Sequence, residues 1–301
     1  MNEQAPSISV VVASKVGAPF LGQCLRSLER QAAEMRAEVI VVATGDKVDP
    51  AQVAAEFPWV QVVHEPGLKQ IPALRRRGVE KCTGDLVAVI EEHCAAADDW
   101  LRQAAEAHRR GDYGAVGGPI ADANYSRLRD WVVYFCEYNS AMPPVGRGPT
   151  DTLNDANIVY RRSVLLEHRD LLDDGYWPMK LHPTLLAEGI TLYSEPDVIV
   201  HHCGPFNFGY YLHQRFLFSR AFAGVRARKE SLSHRLAYLI GAPIIPLVLL
   251  SRMTRIVLAR GSRVRQFVRT LPLTLPALTV LVAGEWVGYL LGPGDALSKV
   301  E

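Results

Sequence analysis

The sequence predicts an α/β fold in which a doubly wound, mainly parallel sheet is followed by a helical C-terminal region. Short β-branched apolar runs recur early, and segments with helical spacing lie between them. The runs are continuously apolar rather than alternating, which is typical of strands covered on both faces. A chain of 301 residues is long enough for one such domain and an appendage. We predict a domain at residues 1–225 and a separate region at 226–301.

The predicted strands alternate with helices in the order β-α-β-α-β-α-β. They are ISVVVA (8–13), EVIVVA (38–43), VQVVH (60–64) and LVAVI (86–90). A helix at 98–109 and a further strand, YGAVGG, come next. In sheets of this kind, ligands bind beyond the carboxyl ends of the strands. Glu91, Glu92 and His93 directly follow the fourth run, so they are the first candidates for a functional site.

The C-terminal region is basic and contains two apolar stretches. Residues 226–301 carry eleven Lys and Arg against four acids, a net of +7, which leaves −6 for residues 1–225 in a chain of net charge +1. An acidic front half argues against nucleic-acid binding, whereas a basic, apolar tail suits an anionic membrane surface. The stretch 271–292 is long enough to span a bilayer, which takes about 20 residues. The stretch 236–250 is shorter and contains two prolines.

The segment between these stretches carries six arginines and no acid. Two full spans would place these arginines on the side opposite a cytoplasmic front half, against the positive-inside tendency. We therefore expect a re-entrant or interfacial first segment, an arginine-rich helix on the cytoplasmic leaflet and one span. A two-helix hairpin and a buried helical pair in a soluble protein are the alternatives. No signal peptide is visible and the five cysteines are scattered, so we expect the front half on the cytoplasmic side of the cell membrane.

Several segments of the chain, taken in order, carry a family resemblance. They are ISVVVAS, FLGQCLRSLERQ, EVIVVATGD and PALRRRGVEKCTGDLVAVIEEH, with weaker similarity through LNDANIVYRRSVL, LLAEGITLYSEPDVIVHH and FGYYLHQRFLFSRAFA. This order resembles glycosyltransferase family 2, the inverting enzymes with the GT-A nucleotide-sugar-binding fold. The resemblance implies a nucleotide-diphospho sugar donor. Together with the tail, it implies a membrane lipid or lipid-linked glycan as acceptor, as in the synthesis of a cell-envelope glycan.

The resemblance places Glu91-Glu92-His93 at the D-x-D motif of the family, whose carboxylates hold Mg²⁺ or Mn²⁺ against the donor diphosphate. It implies Glu91 and His93 as metal ligands and Glu92 as a donor-binding residue. A divalent cation would neutralise the charge that develops on the leaving diphosphate. A nitrogen ligand would favour Mn²⁺ over Mg²⁺. Of His201 and His202, which face opposite ways on the strand DVIVHH, we choose His201 as a further metal ligand.

Two other interpretations of this edge stay open. The carboxylate pair could be a solvated strand end without a metal. A zinc site could form from His93, Cys94, His202 and Cys203, although adjacent pairs without the usual two-residue spacer suit tetrahedral ligation poorly.

The resemblance also implies donor-binding residues at the ends of the first two strands and at the start of the third helix. At the strand ends these are Ser14, Thr44 and Asp46; Ala43-Thr44 stands where the family has an acidic pair, and Asp46 is the nearest acid. On the helix they are Arg75 and Arg76. A surplus of cations in RRR (75–77) would suit a pyrophosphate, and a plain charged helix face is the alternative.

The general base and the acceptor side depart further from the family pattern. An inverting transfer needs a carboxylate that removes a proton from the acceptor hydroxyl. The resemblance implies Asp174 or Asp173 for this role, because Pro178 stands where an acid is expected. Gln214 and Arg215 correspond to acceptor-side positions. The alternative function is a degenerate, non-catalytic relative that binds nucleotide or glycan and supports a partner enzyme.

Overall fold

The computed structural model describes residues 6–45, 47–228 and 230–300, except the side chain of Ser298. These residues divide into two units. The first comprises the residues up to Ala123 together with Ala141–Cys203, and the second comprises Asn124–Ser140 together with the residues from Gly204 onward. The second unit therefore begins earlier than the predicted region and includes an inserted segment. The predicted domains 1–225 and 226–301 stay a prediction.

The strands all lie in the first unit. They are β1 (Ile8–Ser14), β2 (Glu38–Ala43), β3 (Gln61–His64), β4 (Leu86–Glu91), β5 (Cys94–Ala96), β6 (Tyr113–Gly117), β7 (Ile120–Asp122), β8 (Gly148–Pro149), β9 (Asn157–Arg161), β10 (Thr191–Ser194) and β11 (Val200–His202). The early strands match the predicted runs to within one residue at each end, because short runs rich in β-branched residues favour strands.

The helices are divided between the units. They are α1 (Phe20–Met35), α2 (Pro50–Glu56), α3 (Ile71–Lys81), α4 (Trp100–Arg110), α5 (Leu128–Tyr138), α6 (Arg162–Glu167), α7 (Pro178–Ala187), α8 (Phe208–Ala227), α9 (Leu232–Gly241), α10 (Ile245–Arg260), α11 (Val264–Leu291) and α12 (Ala296–Lys299). Helix α5 and helices α8 to α12 belong to the second unit, and the others belong to the first.

The main sheet of the first unit has the strand order β3-β2-β1-β4-β9-β6-β10-β8. Strands β1 to β4 are mutually parallel, as predicted, whereas β9 runs antiparallel to both β4 and β6. The sheet is therefore mixed, and the α/β class is confirmed. Antiparallel pairing places the start of β9 beside the carboxyl end of β4, since Ile90 is paired with Asn157. A second sheet has the order β5-β11-β7.

The core of the first unit forms where α3 packs on the parallel strands. Val11 of β1 and Val42 of β2 are fully buried, and Gly78 of α3 lies against both. A Cβ atom at Gly78 would lie 2.3 Å from Cγ1 of Val11 and 3.3 Å from Cγ2 of Val42. The missing side chain therefore lets α3 approach the sheet, and α3 carries Arg75 to the carboxyl edge.

Helices α8 and α11 pack closely in the second unit. Gly284 and Gly288 of α11 lie against the backbone of α8, where Cβ atoms would come within 2.4 Å of the Phe216 oxygen and 2.5 Å of the Arg220 oxygen. The four-residue spacing of these glycines puts both on one helix face, and small residues at this spacing allow close helix contact, including in membranes. This contact joins α8 to the apolar tail.

The tail forms two helical stretches that are long and apolar enough to cross a membrane by length and composition, Leu232–Arg260 and Val264–Leu291. Only 17% and 39% of their apolar windows are buried, unlike the core helix of a soluble protein. The separate arginine-rich helix that we predicted is absent from the described residues. Gly261, at φ +66°, ends α10, and the arginines are divided between the end of α10 and the start of α11.

Replacing Gly78 by alanine is expected to destabilise the first unit. The new methyl group would force Val11 or α3 to move, and overpacking of a well-packed core typically costs about 1–3 kcal/mol. Gly67→Ala is the matched control, because no atom lies within 4 Å of the added methyl. We expect denaturant unfolding of Gly78→Ala at a clearly lower midpoint. Equal midpoints for the two variants would contradict the described packing.

Candidate active site

An ion-paired cluster occupies the carboxyl edge of the main sheet. Arg75, on the second turn of α3, donates from Nη2 to Oε1 of Glu91 at 3.1 Å and from Nη1 to Oδ2 of Asp155 at 2.5 Å. Glu91 ends β4, and Asp155 lies just before β9. Three separate parts of the chain therefore meet at one guanidinium. We call Arg75, Glu91 and Asp155 the arginine corner.

The guanidinium of the corner is buried, and both carboxylates are partly exposed. The side chain of Arg75 is 4% exposed, against 25% for Glu91 and 42% for Asp155. Burial alone would lower the pKa of Arg75, but the neighbouring Asp155 and Glu91 carboxylates raise this pKa above its ordinary value. Nε of Arg75 is buried and has no hydrogen-bond partner among the described residues. The corner is thus a fixed cation with two carboxylates turned toward solvent.

Asp155 is a site residue that the sequence analysis missed. It belongs to the segment LNDANIVYRRSVL, which was noted only for its family resemblance. The direction of the following strand, β9, determines where Asp155 lies. Because β9 is antiparallel to β4, its first residues lie beside the last residues of β4. A parallel interpretation of the whole sheet would place Asp155 at the opposite edge.

Glu92 holds the loop after β1. Its side chain is buried and accepts hydrogen bonds from Ser14 Oγ at 2.6 Å and from the backbone N–H groups of Lys15, Val16 and Gly17 at 2.9, 3.0 and 2.9 Å. Four donors converge on one carboxylate, and charge-assisted bonds of this kind are strong. Both Glu92 and Ser14 are therefore engaged with the protein itself, and donor contact by either side chain stays a prediction.

The histidines of the edge lie in different surroundings. The His93 ring lies 4.5 Å from the Phe20 ring and 6.4 Å from the His202 ring, measured between centroids. His202 is buried, whereas His201 is exposed on the other side of β11. His202 is thus the ring near His93, and the two histidines face opposite ways as the strand alternation predicts. The choice of His201 as a metal ligand stays a prediction.

No group of three or more His, Cys, Asp or Glu side chains within residues 6–45, 47–228 and 230–300 is placed to hold a metal ion. Glu91 contacts Arg75, while His93 packs on Phe20, so the structure does not gather Glu91, His93 and His201 around one point. The hard oxygens of Glu91 and Asp155 nevertheless fit a cation that takes most of its ligands from substrate phosphates and water. Burial raises the pKa of the Cys94 thiol, which disfavours the thiolate that a zinc site needs.

The arginine triplet is paired within the protein. Besides Arg75 in its corner, Arg76 lies 2.9 Å from Glu80 and 3.6 Å from Asp173, and Arg77 lies 2.6 Å from Glu65. Acids of the same helix and of other segments therefore balance these cations, and donor contact by Arg75 and Arg76 stays a prediction.

The predicted nucleoside-side positions lie at the end of β2. Thr44 is buried, and its hydroxyl donates to the Leu68 carbonyl at 2.6 Å, while its N–H donates to the Ser14 carbonyl at 3.1 Å. Thr44 therefore links the loops after β1 and β2. Asp46 lies outside the described residues.

The two predicted bases lie on an exposed turn before α7. The side chain of Asp173 is 76% exposed and faces Arg76, and that of Asp174 is 66% exposed and pairs with Lys180. Two residues further along, the buried Tyr176 ring lies 6.0 Å from the Arg75 guanidinium. The turn that carries both acids is thus joined to the arginine corner through Tyr176. Their role as base stays a prediction.

A buried hydrogen-bond chain continues behind Tyr176. The Tyr176 hydroxyl donates to the Tyr160 hydroxyl at 3.2 Å, and Tyr160 lies 2.7 Å from Nε2 of His182. Burial lowers the pKa of His182 to about 4, so the ring is neutral at pH 7. This chain fixes Tyr176 beneath the corner.

The predicted acceptor-side residues lie in the second unit. Gln214 of α8 is buried and donates to the Lys299 carbonyl at 3.3 Å. Arg215 forms an ion pair with Glu137 of α5 at 2.9 Å. Both side chains hold the second unit together, and acceptor contact stays a prediction.

Comparison with known families and structures identifies the chain. The sequence model described as "Glycosyl transferase family 2" matches residues 9–169, more than half of the chain. The chain belongs to glycosyl transferase family 2. The predicted family is therefore confirmed, and the matched range contains the whole arginine corner. The mixed sheet is the GT-A-like fold that this family membership predicts.

A curated relative is the succinoglycan biosynthesis protein ExoM of Rhizobium meliloti (strain 1021). It is 26% identical over 201 residues, which cover 63% of this chain and 64% of ExoM. The match thus spans less than two thirds of the relative.

Solved structures with the same fold include S. aureus TarS 1–349, with a TM-score of 0.52 at 14% identity over 95% of this chain and 92% of TarS 1–349. GalNAc-T7 with UDP, GalNAc and Mn²⁺ has a TM-score of 0.52 at 15% identity over 69% of this chain and 45% of GalNAc-T7. TarS 1–349 has also been solved in complex with UDP-GlcNAc. At these identities the similarity establishes the fold.

Replacing Glu92 by alanine is expected to lower the free energy of unfolding of the first unit by about 3 kcal/mol, because several donors lose a charged acceptor. Glu92→Gln keeps one acceptor oxygen and should cost about half as much. Denaturant unfolding followed by tryptophan fluorescence measures both. Glu29→Ala, an exposed position on α1, is the control and should stay within about 0.5 kcal/mol of the wild type. A Glu92→Ala protein as stable as this control would refute the assigned role.

Proposed function

We propose that the protein transfers a sugar from a nucleotide-diphospho sugar to a hydroxyl of a membrane lipid or lipid-linked glycan, at the cytoplasmic face of the cell membrane. The observation that carries the proposal is the arginine corner, which stands at the carboxyl edge of the sheet in a family 2 chain. Ligands of doubly wound sheets bind at this edge. The two partly exposed carboxylates that Arg75 holds suit a divalent cation, which in turn would bind a diphosphate.

The donor diphosphate would bind at the arginine corner together with a divalent cation. Glu91 and Asp155 would hold this Mn²⁺ or Mg²⁺ through carboxylate oxygens, and the phosphates and water would supply its other ligands. The cation would neutralise charge on the leaving diphosphate. Support comes from the presence of UDP and Mn²⁺ in the GalNAc-T7 structure and of UDP-GlcNAc in a TarS structure. Glu92, Ser14 and Thr44 would shape the loops around the nucleoside.

Transfer would proceed by a single in-line displacement with inversion. The acceptor hydroxyl attacks the anomeric carbon, its proton passes to a carboxylate, and the bond from that carbon to the diphosphate oxygen breaks. Asp174 or Asp173 would accept the proton, since both are exposed on the turn that Tyr176 ties to the corner. Arg75 stays charged throughout, so its electrostatic effect needs no reorganisation during the reaction.

A membrane-bound acceptor is supported by the character of the tail. Large apolar side chains are exposed at a spacing of about four residues along the stretch that begins at Leu232, and apolar surface of this size marks a protein or membrane contact. These side chains are Leu232, Leu236, Ile240, Ile244, Leu247 and Val248. The name of ExoM, a succinoglycan biosynthesis protein, supports a cell-envelope glycan as product.

The proposed membrane topology places the arginine-rich turn on the cytoplasmic face. Arginines at a membrane boundary favour the cytoplasmic side. If the first unit is also cytoplasmic, the stretch 232–260 enters without crossing and α11 crosses. The prolines in the first stretch, Pro243 and Pro246, suit such an interrupted segment.

Sugar transfer in native membranes tests the proposal directly. With Mn²⁺ and radiolabelled nucleotide sugars, Glu91→Gln and Asp155→Asn should each lower kcat by about 100-fold, the scale expected when charge stabilisation at a leaving group is lost. Asp174→Asn, or Asp173→Asn if that residue is the base, should lower kcat by 10² to about 10⁴-fold with little change in donor affinity.

The controls separate chemistry from folding. Glu29→Gln removes an exposed carboxylate from α1 and should leave kcat within about twofold of the wild type, as surface substitutions usually do. Sugar transfer at the wild-type rate by both Glu91→Gln and Asp155→Asn would discard the role of the corner. Donor binding by the wild type without any transfer would instead favour the non-catalytic alternative.

A further inference from the structure

The segment that carries Asp155 follows the carboxyl edge of the main sheet. It runs from Arg147, just before β8, to Asn157, the first residue of β9. Strand β8 pairs with the end of β10, and Asn157 pairs with Ile90 at the end of β4. Both ends of the segment therefore lie at the edge where the arginine corner stands. We call residues 147–157 the strap.

Arg147 joins the first end of the strap to a buried carboxylate. Its Nη1 donates to Oε2 of Glu195 at 2.5 Å, and its Nη2 donates to Oδ2 of Asp197 at 2.7 Å. The Glu195 side chain is fully buried. A buried carboxylate is costly unless it is paired, so this contact differs from an exposed ion pair, which contributes little.

Asn157 joins the other end of the strap to the same stretch of chain. Its side chain is fully buried, and Nδ2 donates to the Val198 carbonyl at 2.7 Å. Its Oδ1 accepts from Nε1 of Trp100 at 2.8 Å. Arg147 and Asn157 therefore hold the two ends of the strap to residues 195–198.

The middle of the strap forms a local turn around Asp155. Oδ1 of Asn154 accepts from the Ala156 N–H at 3.1 Å. This bond sets the shape of the turn, but it does not join the turn to another part of the chain. The place of the turn therefore depends on the two ends of the strap, on the packing of Leu153 against the core and on the ion pair with Arg75.

The place of the Asp155 carboxylate bears on the proposed cation site. A cation that binds Glu91 and Asp155 together needs both carboxylates at contact distance, so a small displacement of either one weakens binding. Replacing the groups that orient metal-binding side chains typically lowers metal affinity by about 10- to 100-fold. Arg147 stands in this relation to Asp155, because it anchors the strap without touching the corner.

A second arginine on Glu195 provides a comparison within the same cluster. Arg110, the last residue of α4, also donates to Oε2 of Glu195. The side chains of Arg110 and Arg147 are equally exposed, at 44%. Loss of either guanidinium removes one positive charge from Glu195, but only the loss of Arg147 releases the strap.

We propose that Arg147 is a positioning residue for Asp155, which it holds at the arginine corner by anchoring the strap to Glu195 and Asp197. The role of Asp155 as a cation ligand rests on the proposed function, whereas the anchoring of the strap does not depend on sugar transfer.

Hydrogen exchange of the full chain in nonionic-detergent micelles, followed by mass spectrometry, tests the anchoring. Arg147→Gln should accelerate exchange of the backbone amides of residues 150–157 by about tenfold, the effect of losing one charge-assisted contact. Arg110→Gln is the matched control and should change exchange there by less than about twofold. Arg147→Lys keeps a charge without the guanidinium fork, so it should recover part of the protection.

The Mn²⁺ dependence of sugar transfer in native membranes tests the effect on Asp155. Arg147→Gln should raise the Mn²⁺ concentration that gives half-maximal transfer by about tenfold. At saturating Mn²⁺ its kcat should stay within about threefold of the wild type, because affinity is lost rather than stabilisation of the transition state. Arg110→Gln should keep both values within about twofold of the wild type.

The outcomes separate this inference from the proposed function. Wild-type exchange of the strap in Arg147→Gln would overturn it. Equal acceleration in Arg147→Gln and Arg110→Gln would also overturn it, because the effect would then be one of general stability. An unchanged Mn²⁺ dependence in Arg147→Gln would overturn the positioning of Asp155. Arg147→Lys keeps the test valid if Arg147→Gln fails to fold. Faster strap exchange confined to the Arg147 variants, in a protein that transfers no sugar, would uphold the anchoring while the proposed function fails.

Discussion

The buried charge of Arg75 is the constraint on which the site depends. A guanidinium that is 4% exposed must be paired, and its partners Glu91 and Asp155 come from the end of β4 and the approach to β9. Removing one partner of a buried ion pair typically costs about 3–5 kcal/mol, because a charge is left uncompensated. The pairing therefore fixes α3 and two strands relative to one another, while it keeps two carboxylates at the surface where a diphosphate would arrive.

The carboxyl edge of the sheet could be predicted because the residues that mark it are neighbours in the sequence. The β-branched runs predict the parallel strands, and the polar residues after LVAVI mark the carboxyl edge. The consecutive residues Glu91, Glu92 and His93 then diverge in role. Glu91 contacts Arg75, Glu92 accepts from the loop after β1, and His93 packs on Phe20. Alternation along a strand predicts that neighbours diverge, but their partners come from other elements.

Most features that the sequence did not predict depend on contacts between distant segments. Asp155 joins the site only because β9 is antiparallel to β4, and periodicity carries no information about strand direction. The pairing of Arg76 and Arg77 depends in part on Asp173 and Glu65, which come from other segments. The phase of His201 and His202 is set by the small second sheet. In the tail, a single left-handed glycine divides the arginine-rich segment between two helices.

Crystals of the full chain soaked with Mn²⁺ and, in turn, with UDP, GDP or dTDP give the most direct test of the central claim. The account predicts that one of these nucleotides places its diphosphate beside Arg75. It also predicts an anomalous manganese peak at about 2.0–2.6 Å, the range of hard-cation contacts, from carboxylate oxygens of Glu91 or Asp155. A nucleotide and metal bound at another edge of the sheet, with Glu91 and Asp155 still held only by Arg75, would contradict it.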